Sequence, residues 1–359
     1  MPATSREVSP RSILVLRFGA VGDVVRTLPA VRLLRRTWPE AKIVWAVEPG
    51  PGSLLKGCPD IDDFVVLPRR EISRSLSHFN PRGLVLAGRF VRELRARRPD
   101  LALDFQSSFK SGSAMYLSGA AERWGFRRRD AREEAHWFAN HRFALPAASR
   151  HRVERAVALA RAAGAEDGPR EADLGLTREE REKGLAVVER LAGARAAVAL
   201  APFSSARQSW KRFPKERWAD VAAGLAAAGH AVLIIGGPGE ESEARRLCER
   251  AGAGVAFTGA LPLRGLAAAL AACDLFVGGD TGPMHIAWAV GLPVVAVYGP
   301  TDPSLNAPYG EGHVVLAPPK PSRRHDADPF PGITAELILS SALEQLRGRA
   351  LLARRRTTN

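Results

Sequence analysis

Five short apolar runs in the second half of the chain constrain its fold most: "AAVALAP" (196–202), "AVLIIGG" (231–237), "GVAFTG" (254–259), "DLFVGGD" (274–280) and "PVVAVYG" (293–299). Each ends at glycine or a polar turn, and Ala- and Leu-rich stretches with helical spacing lie between them. Strands and helices alternating over such short turns predict parallel sheets with right-handed crossovers. The first half predicts the same alternation, with strands at 12–17, 42–47, 63–67 and 101–105 and helices near 23–36, 83–97 and 150–163. The expected fold class is therefore α/β, with two doubly wound, Rossmann-like domains and a cleft between them as the default ligand site. "GAEDGPREADLGLT" (164–177) reads as the linker. The apolar spacing of 331–346 predicts one last amphipathic helix needing a partner surface, with "RGRALLARRRTTN" as a frayed basic end.

Composition narrows the class. Hydrophobic residues make up 46% and charged ones 25%, as in a globular domain. No apolar run reaches the roughly 18 residues of a membrane span. The polar lead "MPATSREVSPRS" does not resemble a secretory signal, and Cys58, Cys248 and Cys273 lack metal or disulfide spacing, so a reducing cytoplasm is expected. The formal charge of +14 is lopsided: residues 1–170 carry +12 and residues 171–359 carry +2. A biased excess points to an anionic partner of the first half. Aromatics are only 7% and no recognition motif is present, which argues against nucleic acid.

Three strand-end clusters in the second half suit a nucleotide diphosphate. In "GGDTGPMH", Asp280, Thr281 and Gly282 lead into a helix with Pro283 in its first turn and His285 nearby. The unpaired N–H groups of such a helix start favour an anion. "APFSSARQSWKRFP" supplies Ser204, Ser205 and Lys211, whose compact charge suits a phosphate. "GGPGEE" places Glu240 at a helix start, where a carboxylate binds ribose hydroxyls or complements the helix dipole. The plainer readings stay open here: Asp280 as an N-cap, His285 on the surface and Lys211 as a solvated lysine. No carboxylate, His or Cys constellation suggests a metal.

The turn "RFGAVGDVVR" (17–26) is harder to place. It follows a strand end and opens a helix, yet lacks the G-x-G-x-x-G of a dinucleotide site and carries a lone acid, Asp23, between Arg17 and Arg26. Together with "LALDFQSSFKSG", "GAAERWGFRRRDARE", "SSARQSWKRFPKERW", "GGPGEE" and "GGDTGPMHIAWAVGLPVVAVYGPTDP", this segment resembles the bacterial lipopolysaccharide heptosyltransferases, the inverting family 9 glycosyltransferases. The resemblance spans residues 13 to about 309. It implies a GT-B architecture: an acceptor domain (1–168), a nucleotide-sugar domain (169–332) and a C-terminal helix (333–347) packed back on the first domain. It also implies Asp23 as general base, Lys211 on the diphosphate, Glu240 on the ribose, and the D-T-G-x-x-H residues Asp280, Thr281, Gly282 and His285 at the donor. The implied reaction moves heptose from ADP-heptose to a phosphorylated, Kdo-bearing lipid A core, without metal or other cofactor, in the cytoplasm at the inner membrane face. Arg17, Lys110, Arg123, Arg127, Arg128, Arg129 and Arg132 are the expected acceptor contacts. Another family 9 donor or acceptor, or a GT-B-like sugar-nucleotide epimerase, is the alternative. One departure from the family is the absence of cysteine from "LAPPKPSRRHDADPF", where many members carry it.

Overall fold

The computed structural model describes residues 9–204, 210–259, 261–322, 326 and 328–357. The chain divides into two compact units, Met1–Gly175 and Leu176–Asn359, the division falling inside the expected linker. In the first unit β1 (Ser12–Leu16), β2 (Lys42–Val47), β3 (Asp63–Val66), β4 (Leu101–Asp104), β5 (Glu122–Phe126) and β6 (His141–Phe143) form one parallel sheet in the order β3-β2-β1-β4-β5-β6. In the second, β7 (Ala197–Ala201), β8 (Ala231–Gly236), β9 (Val255–Thr258), β10 (Leu275–Gly279), β11 (Val294–Val297) and β12 (Val314–Leu316) repeat it, in the order β12-β11-β10-β7-β8-β9.

Both sheets are wound outward in two directions from a central strand pair, β1 with β4 and β7 with β10. Helices cover both faces of such a sheet, so its central strands read as unbroken apolar runs. Every residue of β1 and β7 is buried. β5, β6 and β12 are absent from the sequence-based expectations. "ERWGF" mixes charge with aromatics and is half-exposed toward its start, and β6 and β12 are three residues each, too short for a periodic signal.

The helix Val21–Thr37 buries Val24, Val25, Leu28, Val31 and Leu34, and packs against the helix Arg152–Ala162. In the second unit Gly278 faces Ala201 in register, and a Cβ on it would stand 2.8 Å from the Ala201 carbonyl oxygen. That close approach excludes a side chain beside the β7–β10 loops.

The C-terminal helix corrects two expectations. It runs Ala335–Thr357, so the basic end continues the helix rather than fraying. The resemblance implied packing on the first domain, but Ile338, Ala342 and Leu346 sit in the second unit's core with Trp218, Val221, Leu225 and Phe330. Leu339 approaches so closely that a Cβ on Gly224 would meet it at 2.3 Å. The apolar stripe that needed a surface finds one on the helix Lys215–Ala227 and on β10 and β11.

Candidate active site

Ligands of doubly wound sheets bind beyond the carboxyl ends of the strands where winding reverses. The loops after β7 and β10 meet at that point in the second unit. There Lys211 Nζ lies 3.0 Å from Asp280 Oδ2, with side-chain exposures of only 14% and 8%. His285, 2% exposed, places Nε2 3.6 Å from the other Asp280 oxygen. Burial is the largest influence on Asp280 and raises its pKa, but the hydrogen bond and charge of His285 and the Lys211 ammonium outweigh it. The carboxyl is held well below the usual range.

Asp280 is not the N-cap. Thr281 occupies the N-cap position of the helix Gly282–Ala289, but its side chain makes no capping hydrogen bond. Its Oγ1 is buried without a hydrogen-bond partner among the described residues. A buried hydroxyl at an uncapped helix start is suited to an anionic ligand. His285 is a core residue one turn into the helix, not a surface one.

Glu240 and Ser204 are joined through Arg212, which sequence reasoning passed over as the neighbour of Lys211. Arg212 Nη2 donates to Glu240 Oε1 at 2.8 Å and to the Ser204 carbonyl at 2.6 Å. Glu240 Oε2 accepts from the Gly237 N–H at 2.8 Å, closing the glycine turn after β8. Ser205 lies outside the described residues.

The first unit repeats the arrangement with opposite charge. Asp23 stands in the first turn of Val21–Thr37, ringed by arginines. Arg17 Nη2 is 2.8 Å from Asp23 Oδ1, Arg26 Nη2 donates to the same oxygen, and Arg152 Nη1 is 3.7 Å away. Arg17 and Arg26 are both buried, so neither points to solvent. Burial, the largest influence, raises the Asp23 pKa, but Arg17, Arg26 and Arg152 together overcome it and hold the carboxyl far below its ordinary value.

Arg17 also spans the switch point, its Nη1 donating to the Phe105 carbonyl after β4 at 2.6 Å. That loop is organised by Asp104, 1% exposed, whose Oδ1 accepts from the N–H groups of Ser107 at 2.8 Å and Gln106 at 3.0 Å. Burial pushes the Asp104 carboxyl up to about 6, partly opposed by the Ser107 N–H, Ser111 and Arg17. Asp104 and Arg152 are absent from the sequence-based expectations. A strand-end acid at "LALDFQ" is a usable signal for the first, whereas only helix packing brings Arg152 to Asp23.

The expected acceptor residues separate into two groups. Lys110, Arg128, Arg129 and Arg132 are exposed. Arg127 is half exposed and paired with Asp130 at 3.1 Å. Arg123 is committed to the fold: it donates to the carbonyls of Ala120 at 2.7 Å and Phe138 at 3.1 Å and lies over the Tyr116 ring. No group of three or more His, Cys, Asp or Glu with metal-ligand placement occurs among the described residues. No helix among them is long and apolar enough to cross a membrane.

Known proteins of similar sequence carry the same architecture. Lipopolysaccharide heptosyltransferase 1 of Escherichia coli is 28% identical over 314 residues, covering 86% of this chain and 94% of its own length. A solved E. coli heptosyltransferase with ADP superposes with a TM-score of 0.77 at 26% identity, covering 93% of this chain and 99% of that one. An E. coli heptosyltransferase solved with ADP-2-deoxy-2-fluoro heptose gives 0.73 at 25% identity, covering 94% and 99%. The model of glycosyltransferase family 9, the heptosyltransferases, matches residues 87–328. The chain belongs to glycosyltransferase family 9.

Proposed function

We propose that the protein transfers heptose from ADP-heptose to a sugar hydroxyl of the lipopolysaccharide inner core, inverting the anomeric carbon. The observation that carries this is the second unit's switch point. A mostly buried lysine and a helix start without a side-chain cap, its Thr281 hydroxyl unpartnered among the described residues, converge there, in a chain resembling enzymes solved with ADP and with an ADP-heptose analogue. Lys211 and the N–H groups at Thr281–Gly282 take the diphosphate, and Glu240 takes the ribose. Those groups stabilise the charge that develops on the leaving oxygen, so no metal is required of the site.

Asp23 is the general base. The acceptor hydroxyl gives its proton to the Asp23 carboxylate as its oxygen attacks C1, and the C1–O bond breaks with its electron pair leaving on ADP. A carboxylate ringed by Arg17, Arg26 and Arg152 is fully ionised at neutral pH but weakly basic. Anionic groups on the acceptor draw on the same guanidiniums, Arg152 being the most exposed of them. Loosening that ring strengthens the base when acceptor is bound. Arg17, Lys110, Arg127, Arg128, Arg129 and Arg132 then grip the phosphorylated, Kdo-bearing glycolipid from the cytoplasmic face of the inner membrane. Arg123 serves the fold instead.

The test is incubation of the purified protein with ADP-heptose and a deacylated Kdo-type acceptor, read by mass spectrometry. One added heptose with release of free ADP is the expected result. ADP release without acceptor gain, or transfer from a different nucleotide sugar only, overturns the reading.

A further inference from the structure

Between β3 and β4 the chain forms a helical hairpin, Arg69–Ser77 and Arg82–Ala96, which serves neither switch point. Residues 69–98 contain nine arginines and two glutamates. Arg69 is paired with Glu48, Arg89 with Glu93 and Arg97 with Asp63. Arg70, Arg74, Arg82 and Arg92 are exposed and have no carboxylate partner among the described residues. The inner face of the second helix is an ordinary core stripe of Gly83, Phe90 and Leu94.

The outer face is not ordinary. Leu76 is 45% exposed, Phe79 97%, Leu84 67% and Val85 69%. Leu76 rests on the next helix, where a Cβ on Gly83 would stand 2.9 Å from its Cγ, so these side chains surround one turn. Phe79 sits at the tip with a φ of 52°, fixed by Phe79 N–H to Leu76 carbonyl (3.0 Å) and Asn80 N–H to Ser75 carbonyl (2.9 Å). A bulky residue rarely adopts that conformation. Scattered exposed apolar residues need no explanation. A cluster at a tip flanked by unpaired cations does, because water gains nothing from it and an anionic interface does.

We infer that this hairpin seats the protein on an anionic phospholipid bilayer. Phe79, Leu84 and Val85 enter the headgroup–acyl boundary, while Arg70, Arg74, Arg82 and Arg92 reach lipid phosphates along their flexible stems. Of the hairpin's two acids, Glu93 is paired with Arg89 and Glu71 stands in the first turn of the first helix, at the end away from the tip, so the apolar tip is flanked by cations, as a negatively charged surface requires. The inference rests on the proposed reading that the acceptor is a membrane glycolipid, but its test uses no acceptor.

Full-length protein is sedimented with phosphatidylethanolamine vesicles containing phosphatidylglycerol, and separately with phosphatidylcholine vesicles. The expected result is binding to the former that weakens with salt, with little binding to the latter. The triple variant F79S/L84S/V85S binds at least about ten-fold more weakly, with an unchanged melting curve and unchanged transfer to a deacylated, water-soluble acceptor. R70Q/R74Q/R82Q/R92Q loses binding selectively on the anionic vesicles. Failure of the wild type to sediment with phosphatidylglycerol, or undiminished binding by the triple variant, overturns the inference. So does a change of oligomeric state in the triple variant by light scattering, which would assign the patch to a second copy of the chain. If the transferase reading is the one at fault, soluble acceptor goes unmodified while vesicle binding persists.

Discussion

Lys211 Nζ and Asp280 Oδ2 lie 3.0 Å apart, and they come from the loops after β7 and β10, the adjacent strands at which the second sheet reverses direction. The pair holds a cation at the carboxyl edge of the sheet before any ligand is present. Positioning a charge in advance is what lets it act on a leaving group without reorganisation.

Lys211→Met separates the two roles of this pair. Removing Lys211 leaves the Asp280 carboxylate with His285 as its remaining counter-charge, at a cost of about 2–4 kcal/mol because Lys211 keeps some exposure and His285 stays in place. Thermal denaturation should show a fall in Tm, and calorimetry should show ADP binding weakened more than about ten-fold. The double variant Lys211→Met, Asp280→Asn should regain most of the Tm and none of the ADP affinity. Recovery of both would remove Lys211 from the donor site.

Asp23→Asn should lower kcat by about 10²–10⁴ and leave ADP affinity almost unchanged. Near-normal turnover would return Asp23 to a purely structural role, that of neutralising Arg17 and Arg26.

Arg152→Gln removes the outermost cation around Asp23, 3.7 Å from its carboxylate. Loss of a neighbouring positive charge raises the basicity of a carboxylate. The acid limb of the kcat profile should therefore move to higher pH, and acceptor KM should rise. An unmoved acid limb would show that Arg152 does not act on the base.

Asp104 gives a pH dependence of the opposite sign to an ordinary ion-paired acid. Its folded pKa of about 6 exceeds the unfolded value of about 3.9, so the folded state binds more protons over the interval. This contribution is complete below about pH 4 and is lost as pH rises through about 6, the loss reaching about 3 kcal/mol at neutrality. Asp104→Asn keeps an Oδ1 able to accept from Ser107 and Gln106. The variant should gain Tm at pH 7–8 relative to the wild type and lose that gain near pH 4. A Tm difference independent of pH would contradict the raised pKa.

Transfer activity should survive excess EDTA, since the proposed donor site relies on Lys211 and a helix start. Abolition by the chelator with rescue by magnesium or manganese would reveal a metal-ligand set at the donor site and overturn this expectation.

Much of the architecture is legible in the sequence because parallel strands buried on both faces must be continuously apolar. β1, β2, β4, β7, β8, β10 and β11 announce themselves for that reason, and the switch-point loops follow from where those strands end. Lys211, Asp280, Thr281 and Asp23 are recognisable as strand-end residues on the same grounds. What they touch is not. That Asp280 neutralises Lys211, that Arg17 and Arg26 turn inward, and that Arg152 joins them from a distant helix depends on how the crossover helices pack, which no local spacing encodes. The C-terminal helix makes the point from the other side: its stripe of Ile338, Ala342 and Leu346 demands a partner, and only the tertiary structure assigns it to the second unit. The apolar tip around Phe79 is likewise invisible in sequence, because a buried and an exposed phenylalanine look alike until the chain shows which face of the hairpin meets the core.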